Sequence, residues 1–557
     1  MKHAGILALV ALAILPLGRA EANEEEAFAR PFVHAAETSA LVYWQLGRIE
    51  EAATGYVEYG LDAQYGQRTP AAEEARWSQF HRLKSLKPDA TYHYRMVVIQ
   101  NGAERKSGDR TFQTRKLKDA VYLPGTSSGA TLVLDRAGAT YVLSQDFTAP
   151  GTAIEIKADD VTLDLDGHTL TFGDDTDKQV YGVHIACKGR ATVRNGHIVQ
   201  GRRSGNYSSC VESRYRDQGA EIFGISTDVH LPNAYPMRFF GRCVGARIHH
   251  NLLYSRVKVL ESRHYPGNDL LRLDDIGDGV EVHDNLLTEG CHIGMRVSGG
   301  KHPPAQSPPQ IHHNDVRHHQ QYVNGYAFSV NCPKAELHHN KVTSTGRSVH
   351  LTGPEIQLHD NWLDTKGHMT LDDMPQGSRP FKERRVELHG IKFEGKEAVR
   401  CKVYGNFMRI TQKLPDEKWD YVPATPLNVA CYLPDAMNEV YGNTFVALTE
   451  YAKTHIGEYG KSGQWASSIF FVGMTQGPAQ PGQYVLYLHD NTFVSNHLWI
   501  SAAWNKEVNM TVRIEKNVFK LADAPAPAEG HQPFRGLGEK LTQAVLAGGN
   551  TFEGMRP

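Results

Sequence analysis

The sequence predicts an all-β chain in which a small antiparallel β-sandwich precedes a long solenoid of short, stacked strands. Three observations indicate this fold class. A four-residue pattern recurs: an apolar residue, usually a His or Tyr, one further residue and then Asn. Successive Asn residues of this pattern are 21 to 48 residues apart. Alternating apolar and polar residues flank each of these Asn residues, as in strands whose side chains point to opposite faces. A separate stretch near the N-terminus combines Trp, Pro and paired Tyr residues in a strand-and-turn pattern.

Residues 1–22 have the pattern of a secretory signal peptide. Lys2 and His3 form a short charged start, and residues 5–17 are an apolar run that is too short to span a bilayer. Residues 20–22, Ala-Glu-Ala, offer a cleavage site. We therefore expect a secreted or periplasmic protein with no membrane span in its mature form.

Composition limits the partners and the covalent chemistry. The net charge of -2 suggests neither nucleic acid nor a membrane surface as a partner. Seven cysteines are an odd number, which excludes a complete disulfide framework. The sequence contains no Cys-x-x-Cys spacing, so it does not indicate a zinc site. We expect most cysteines in or beside the strands to be small core residues; these are Cys187, Cys291, Cys332, Cys401 and Cys431.

Residues 30–116 are predicted to form the separate sandwich. Residues 40–44 alternate and carry a Trp, and residues 55–60 form a second strand. The run Leu86-x-Pro88-x-x-x-Tyr92-x-Tyr94 resembles a fibronectin type III domain, and the resemblance implies that Tyr92 forms a tyrosine corner. We expect a spacer or docking module, with carbohydrate binding as the alternative.

The repeated Asn defines the solenoid. The strong copies end at Asn251, Asn285, Asn314, Asn340 and Asn361, and weaker copies end at Asn406, Asn443, Asn491 and Asn517. The shortest spacing, 21 residues, is that of one repeat without an insertion, and such a period predicts stacked repeats that share one core. Stacking places equivalent Asn residues about 4.8 Å apart as a ladder. The Asn side chain suits a turn because it bonds nearby backbone and tolerates a left-handed conformation.

This pattern over residues 120–557 resembles the right-handed parallel β-helix of pectate lyases, alginate lyases, chondroitinases and polygalacturonases. The resemblance implies a carbohydrate-active protein whose inserted loops wall a groove along one face. We place these loops at residues 199–221, 261–269, 299–309 and 375–386. Insertions 412–425 and 448–465 carry aromatic residues suited to substrate walls or caps, and Trp499 and Trp504 are expected to cap the C-terminal end.

Much of the high His content is explained by the repeat itself. One His occupies the same place in five consecutive copies, at positions 249, 283, 312, 338 and 359. A residue type that the repeat requires carries little catalytic information. We expect a column of stacked imidazoles with a structural role.

The residues that interrupt the repeat are more informative. A second strand follows each Asn, and we align three copies on Gly290, Gly325 and Gly346. This alignment places Ile293, Phe328 and Val349 in the core. It places a polar set on one outer face: His292, Arg296, Ser329, Asn331, Ser348 and His350.

This outer face suits β-elimination at a uronate. The reaction needs a base, a cation that stabilises the enolate-like charge and an acid for the leaving oxygen. Histidine suits the base, and Arg binds a carboxylate in two places. We predict His350 as base, Arg296 and Arg347 as carboxylate clamps, and Tyr326 or His368 as acid. Further predicted substrate contacts are His292, Asn331, Asp372 and Asp373.

Two other functions compete with the polysaccharide lyase. A glycoside hydrolase needs two carboxyl groups, which Asp372 and Asp373 or Asp274 and Asp275 offer. A non-catalytic glycan-binding or surface solenoid needs only the polar face. No cofactor is required, although Asp274, Asp275 and Asp278 suit calcium if they are more than a tight polar turn. In each case the expected partner is a polysaccharide or oligosaccharide.

Overall fold

The computed structural model describes the greater part of the chain from residue 24 to residue 554. The described ranges are 24–123, 131–214, 219–257, 268–290, 292–300, 306–318, 325–344, 346–367, 385–395, 397–412, 420–431, 437–449, 467–472, 485–503, 512–524 and 531–554. Residues 1–22, with the predicted signal peptide, lie outside these ranges. Within them, neither of the two short helices, Glu24–Ala27 and Glu539–Ala547, is long enough to cross a membrane.

The N-terminal region forms the predicted antiparallel sandwich. One sheet contains Ala29–Ala35, Ala40–Gln45 and Ser78–Leu83. The other contains Thr54–Gly60, Gln67–Arg68, Thr91–Gln100, Ala103–Lys106 and Arg110–Gln113. Trp44 and Met96 are fully buried in the core between the two sheets.

Tyr92 makes the contact expected of a tyrosine corner. Its hydroxyl oxygen accepts a hydrogen bond of 2.8 Å from the backbone N–H of Lys87, five residues upstream. The bond ties the turn at residues 87–90 to the start of the strand Thr91–Gln100. The assignment of this domain to the fibronectin type III family stays a prediction.

We expect Tyr92→Phe to lower the free energy of unfolding of the protein by about 1 kcal/mol, because it removes one buried hydrogen bond and little volume. Urea unfolding followed by fluorescence measures the change. Tyr94→Phe is the control, since the hydroxyl of Tyr94 has no partner in the part of the chain that the structure describes. Equal stability of the two variants would contradict a corner role for Tyr92.

Residues 121–553 form a right-handed parallel β-helix, as predicted. Each complete turn contributes three strands, and stacking makes three parallel sheets. We call the sheet of 14 strands the front sheet. Its strands are Leu132–Leu134, Ile154–Ile156, Tyr181–Ile185, Ser209–Ser213, Tyr235–Cys243, Leu271–Ile276, Ile293–Gly299, Tyr326–Asn331, Arg347–Leu351, Arg385–Gly395, Asp420–Cys431, Ser467–Val472, Leu498–Ala503 and Gln532–Arg535.

The other two sheets meet at the corner that carries the repeated Asn. The second sheet contains Val121–Leu123, Thr140–Leu143, Val161–Asp164, Arg247–His249, Glu281–His283, Gln310–His312, Glu336–His338, Gln357–His359, Lys402–Tyr404, Asn438–Tyr441, Leu486–His489 and Val512–Glu515. The third contains Phe147–Thr148, Thr169–Phe172, Leu252–Tyr254, Leu286–Thr288, Asp315–His318, Lys341–Ser344, Trp362–Gly367, Phe407–Gln412, Thr444–Thr449, Thr492–Ser495, Val518–Leu521 and Thr551–Glu553. Two long strands, Ala191–Gln200 and Glu221–Asp228, run through the corner and belong to both sheets.

The Asn ladder is present and continues through ten residues, from Asn251 to Asn550. Each side-chain Nδ2 donates to the Oδ1 of the next Asn at 2.9 to 3.0 Å. The left-handed conformation belongs to the residue before each Asn, as at His250 and Asp284, and not to these Asn residues. The Asn side chain is therefore needed for its hydrogen bonds rather than for its backbone tolerance.

The predicted imidazole column is confirmed. Successive rings of His249, His283, His312, His338 and His359 stack with centroids 4.9 to 5.1 Å apart. Tyr404, Tyr441 and His489 continue the stack. The column is structural because consecutive aromatic rings occupy it along the second sheet.

Three other expectations are tested by the described residues. Residues 199–221 are not one inserted loop, because Ser209–Ser213 is a front-sheet strand with Cys210 and Val211 in the core. Cys187, Cys332 and Cys401 are buried thiols as expected, and Cys210 and Cys243 are buried thiols as well. Trp499 is fully buried against Phe519 and Phe552 near the C-terminal end, as a cap requires. Trp504 and most of the aromatic insertions lie outside the described residues.

The N-terminal domain packs on the Asn corner. Arg30 binds Asp284 through two hydrogen bonds of 2.7 and 2.6 Å, and Phe32 stacks on His250 with centroids 3.9 Å apart. The backbone N–H and hydroxyl of Thr38 both bond Asp166. Because this corner lies between the second and third sheets, the docked domain leaves the outer face of the front sheet open.

Candidate active site

One outer column of the front sheet carries a run of basic side chains. Arg238, Arg272 and Arg296 pair in register on three consecutive strands, and Ser329, His350 and Lys392 continue the same column. Neighbouring strands are about 4.8 Å apart, so each side chain lies directly beside the next. The column is therefore a line of basic side chains, each paired with a carboxylate.

The register differs from the predicted alignment in the first copy. Ile293 pairs with Tyr326, not with Phe328, whereas Met295 pairs with Phe328. The prediction was wrong because the glycine that precedes the strand does not lie at a constant distance from the first core residue. The correct register brings Arg296 into the column of His350, with only Ser329 between them.

Two residues predicted to face outward are buried. His292 is 1% exposed, and its Nδ1 lies 2.6 Å from Oδ1 of Asp269. Ser348 is fully buried, with its hydroxyl 2.6 Å from that of Thr365. Both residues lie near the start of a front-sheet strand, before the outer column. His292 thus holds Asp269 rather than facing the open surface.

His350 is held by a carboxylate on the next strand. Its Nε2 lies 2.7 Å from Oε2 of Glu394, and Nζ of Lys392 lies 2.9 Å from the same oxygen. A neutral imidazole donates its Nε2–H to Glu394, which leaves Nδ1 as the basic nitrogen. Among the described residues Nδ1 has no hydrogen-bond partner, so it is available to a substrate.

Tyr326 and Arg347 position the other side of the imidazole. The rings of Tyr326 and His350 stack with centroids 4.5 Å apart, and Nη1 of Arg347 donates to the Tyr326 hydroxyl at 3.2 Å. Both residues are at most 5% exposed. The structure thus brings three predicted site residues, His350, Arg347 and Tyr326, into one contact group.

Burial and charge set the protonation of this group. Burial lowers the pKa of His350 below its ordinary 6.5, although Glu394 acts in the opposite direction. The hydrogen bond with His350, followed by Lys392, lowers the pKa of Glu394 to about 2. At neutral pH the pair is therefore a neutral imidazole oriented by an ionised carboxylate, as a general base requires.

Arg296 keeps a partly exposed guanidinium in the same column as the base. Its Nε donates to Oδ2 of Asp269 at 3.0 Å, and the side chain is 26% exposed. Two strand steps, about 10 Å, separate it from His350. Arg296 and Lys392 thus place positive charge on both sides of the imidazole along the column.

The described acidic residues of the prediction, Asp274, Asp275 and Asp278, are committed to other contacts. Asp274 pairs with Arg272 at 2.5 Å, and Asp278 accepts the backbone N–H of Ser307 in a turn. Asp275 has a left-handed backbone and packs against Gly300. The one group of described residues with three close metal-ligand atoms is His250, His283 and Asp284, and Arg30 already occupies that carboxylate. Calcium binding by the three Asp residues stays a prediction.

Of the remaining predicted residues the structure describes Asn331, which is not part of the contact group. Asn331 is exposed and lines a separate cleft of about 560 Å³ with Pro333 and Arg400. His368, Asp372 and Asp373 lie outside the described residues.

Sequence reasoning assigned no role to Glu394 or Lys392. Both lie in the alternating run Gly390 to Gly395, where Ile391 and Phe393 point inward. Such alternation is typical of a strand. The sequence does not reveal their pairing with His350, because residues 352–384 separate the two front-sheet strands along the chain.

Comparison with known proteins gives distant similarities. No family model matches the chain, and no curated protein matches its sequence. It is similar to the structure of a family 28 exopolygalacturonase of Yersinia enterocolitica, with TM-score 0.36 and 10% identity over 95% of this chain and 100% of that chain. It is also similar to the tailspike protein of E. coli bacteriophage HK620 in complex with a hexasaccharide, with TM-score 0.30 and 11% identity over 76% of this chain and 71% of that chain. A third similar structure is an Erwinia chrysanthemi pectate lyase in complex with tetragalacturonic acid, with TM-score 0.18 and 10% identity over 62% of this chain and 87% of that chain.

Proposed function

We propose that this protein is a secreted polysaccharide lyase that cleaves a uronate-containing polysaccharide by β-elimination on the outer face of the front sheet. The observation that carries the proposal is the His350–Glu394 pair, which leaves a basic nitrogen on an open face between Arg296 and Lys392. Secretion follows from the pattern of residues 1–22. The proposal requires no cofactor.

In this mechanism Nδ1 of His350 removes the proton at C5 of the uronate. The electron pair of that C–H bond forms the C4–C5 double bond, and the C4–O bond breaks. Arg296 and Lys392 stabilise the negative charge that develops on the uronate carboxylate. Positive charge on both sides of the base suits an acidic polymer that lies along the column.

The leaving oxygen takes its proton from Tyr326. The hydrogen bond that Arg347 donates to the phenolic oxygen holds the Tyr326 hydroxyl in place and stabilises the phenolate that forms when the proton is transferred. Arg347 is buried, so in this mechanism it positions Tyr326 rather than clamping the substrate as first predicted.

Incubation with a panel of uronate polysaccharides tests the proposal. We expect an increase in ultraviolet absorbance from the unsaturated uronate, together with shorter chains. New reducing ends without that absorbance would indicate a hydrolase. No change with any polymer of a broad panel would favour a non-catalytic binding solenoid.

The pH dependence of the elimination reports on His350. The base must be neutral, so kcat/KM falls as the pH decreases through its pKa, which burial holds below 6.5. We therefore expect the acid limb of the pH profile below pH 6.5. Because Glu394 raises this pKa, Glu394→Gln is expected to move the limb to still lower pH. A limb above 6.5, or one that does not move in this variant, would contradict the assignment.

A further inference from the structure

A second polar cleft lies on the N-terminal part of the front sheet. It has a volume of about 400 Å³, and its lining residues are Gln179, Tyr207, Arg214, Arg238 and Phe240. Arg238 and His350 are four strand steps apart in the same outer column. This corresponds to about 19 Å, so Arg238 is out of reach of a sugar ring held at His350.

Aromatic rings surround one guanidinium of this cleft. The Cζ atom of Arg238 lies 4.2 Å from the ring centroid of Phe240, 4.4 Å from that of Tyr235 and 5.4 Å from that of Tyr207. Tyr235 is buried, whereas Tyr207 is 51% exposed. The cleft thus combines an exposed aromatic wall, on which a sugar ring can stack, with a rigidly held arginine.

Among the described residues, the cleft carries more positive than negative charge. Glu212 is fully buried and binds both Arg214 and Arg238. The neighbouring Arg272 is neutralised by Asp274. Two guanidinium groups therefore share one carboxylate, and a bound anion would compensate the second charge.

Arg238 also keeps an unused donor. Its side chain is 7% exposed, and its Nε is buried with no hydrogen-bond partner in the described part of the chain. A buried N–H without an acceptor costs free energy. An anionic ligand that enters the cleft would supply the acceptor.

The described residues of this cleft do not offer the base that the candidate active site has. Tyr181, Arg214 and His184 repeat the contacts of Tyr326, Arg347 and His350: the rings of Tyr181 and His184 are 4.7 Å apart, and Arg214 donates to the Tyr181 hydroxyl. However, Nε2 of His184 is buried, and its Nδ1 lies 3.6 Å from Glu155. Among the described residues no open imidazole nitrogen faces this cleft, and we assign it binding rather than cleavage.

We propose that the cleft lined by Tyr207, Arg214, Arg238 and Phe240 is a second binding site for an anionic pyranose, one that carries a carboxylate or a sulfate. Tyr207 or Phe240 stacks on the sugar face, and the two arginines bind the anion. This binding does not depend on catalysis at His350. A site so far from the base would hold an acidic polymer at a second point.

Titration with monosaccharides tests the site on the full chain. The probes are galacturonate, glucuronate and glucose 6-sulfate, with glucose as the neutral control, and calorimetry measures Kd. We expect saturable binding of at least one anionic sugar, unchanged in His350→Gln, and none of glucose. Preference for the uronates or for the sulfate distinguishes the two anions.

Two variants locate the site. Arg214→Gln and Tyr207→Asn are each expected to weaken binding by about tenfold or more, because each removes a charged or stacking contact. Asn suits position 207, whose φ of 65° is left-handed. Arg247→Gln is the matched control, since Arg247 is 50% exposed and pairs with Glu221 on the second sheet.

Three results would overturn the proposal: no saturable binding of any anionic sugar, full affinity in both cleft variants, or loss of binding in His350→Gln. Arg214 touches a buried carboxylate, so its variant is compared only if its unfolding midpoint matches that of the unchanged protein. Should it fail to fold, the exposed Tyr207 decides alone. Elimination activity is measured separately, so failure here leaves the proposed function unaffected.

Discussion

Replacement of His350 by Gln is expected to lower kcat/KM on the uronate polymer by about 10²- to 10⁴-fold, the usual contribution of a general base. Gln retains a polar group beside Glu394 but cannot accept the C5 proton at Nδ1. The stacking partner Tyr326 stays in place, so the free energy of unfolding should change little. Absorbance of the unsaturated product measures the activity, and circular dichroism checks the fold.

The matched control is His489→Gln. His489 also pairs with a glutamate, with Nε2 3.2 Å from Oε1 of Glu439, and its side chain is 16% exposed against 18% for His350. It lies in the aromatic stack of the second sheet, away from the front sheet. We expect full activity in this variant. Equal losses in both variants would show that His350 is only a structural member of a His–Glu pair.

Replacement of Asn340 by Ala is expected to lower the free energy of unfolding by at least about 3 kcal/mol. Its Nδ2 donates to Asn361 and to the carbonyl of Ile311, and its Oδ1 accepts both the backbone N–H and the Nδ2 of Asn314. All of these groups are buried, and each polar group left without a partner costs about 1–3 kcal/mol. Urea unfolding measures the loss.

Asn206→Ala provides the comparison, because Asn206 is exposed and lies outside the ladder. We expect it to change the free energy of unfolding by less than about 0.5 kcal/mol, as is usual for surface substitutions. If Asn340→Ala were equally mild, the ladder would be a consequence of stacking and not a source of stability.

The repeat was predictable because each turn carries its own local signals. A ladder position needs an Asn, a left-handed residue before it and apolar residues on both sides, all within a few residues of sequence. The imidazole column follows from the same local rule, since an identical place in each repeat becomes a neighbour in space. Tyr92 was likewise predictable from a short run, because its partner Lys87 lies only five residues away.

The site was less predictable because its contacts join different turns. Glu394 lies 44 residues from His350, and the length of the intervening insertion bears no relation to the repeat. The strand Ser209–Ser213 was missed because polar neighbours obscure its short apolar core, so Glu212 and its two arginines went unassigned. The predicted pairing of Ile293 with Phe328 was wrong for a related reason. The length of the turn before the strand differs between copies, and Ile293 pairs with Tyr326 instead.

By itself, the sequence determined the all-β class, the stacked repeat, the Asn ladder and the structural role of the His column, because these depend on residues that are close along the chain. Only the tertiary structure decided which side chains face outward together. Hydrogen bonding between parallel strands sets the register across insertions of different length. That register places Arg296, His350 and Lys392 in one column, and it places the Arg238 cleft about 19 Å from the base.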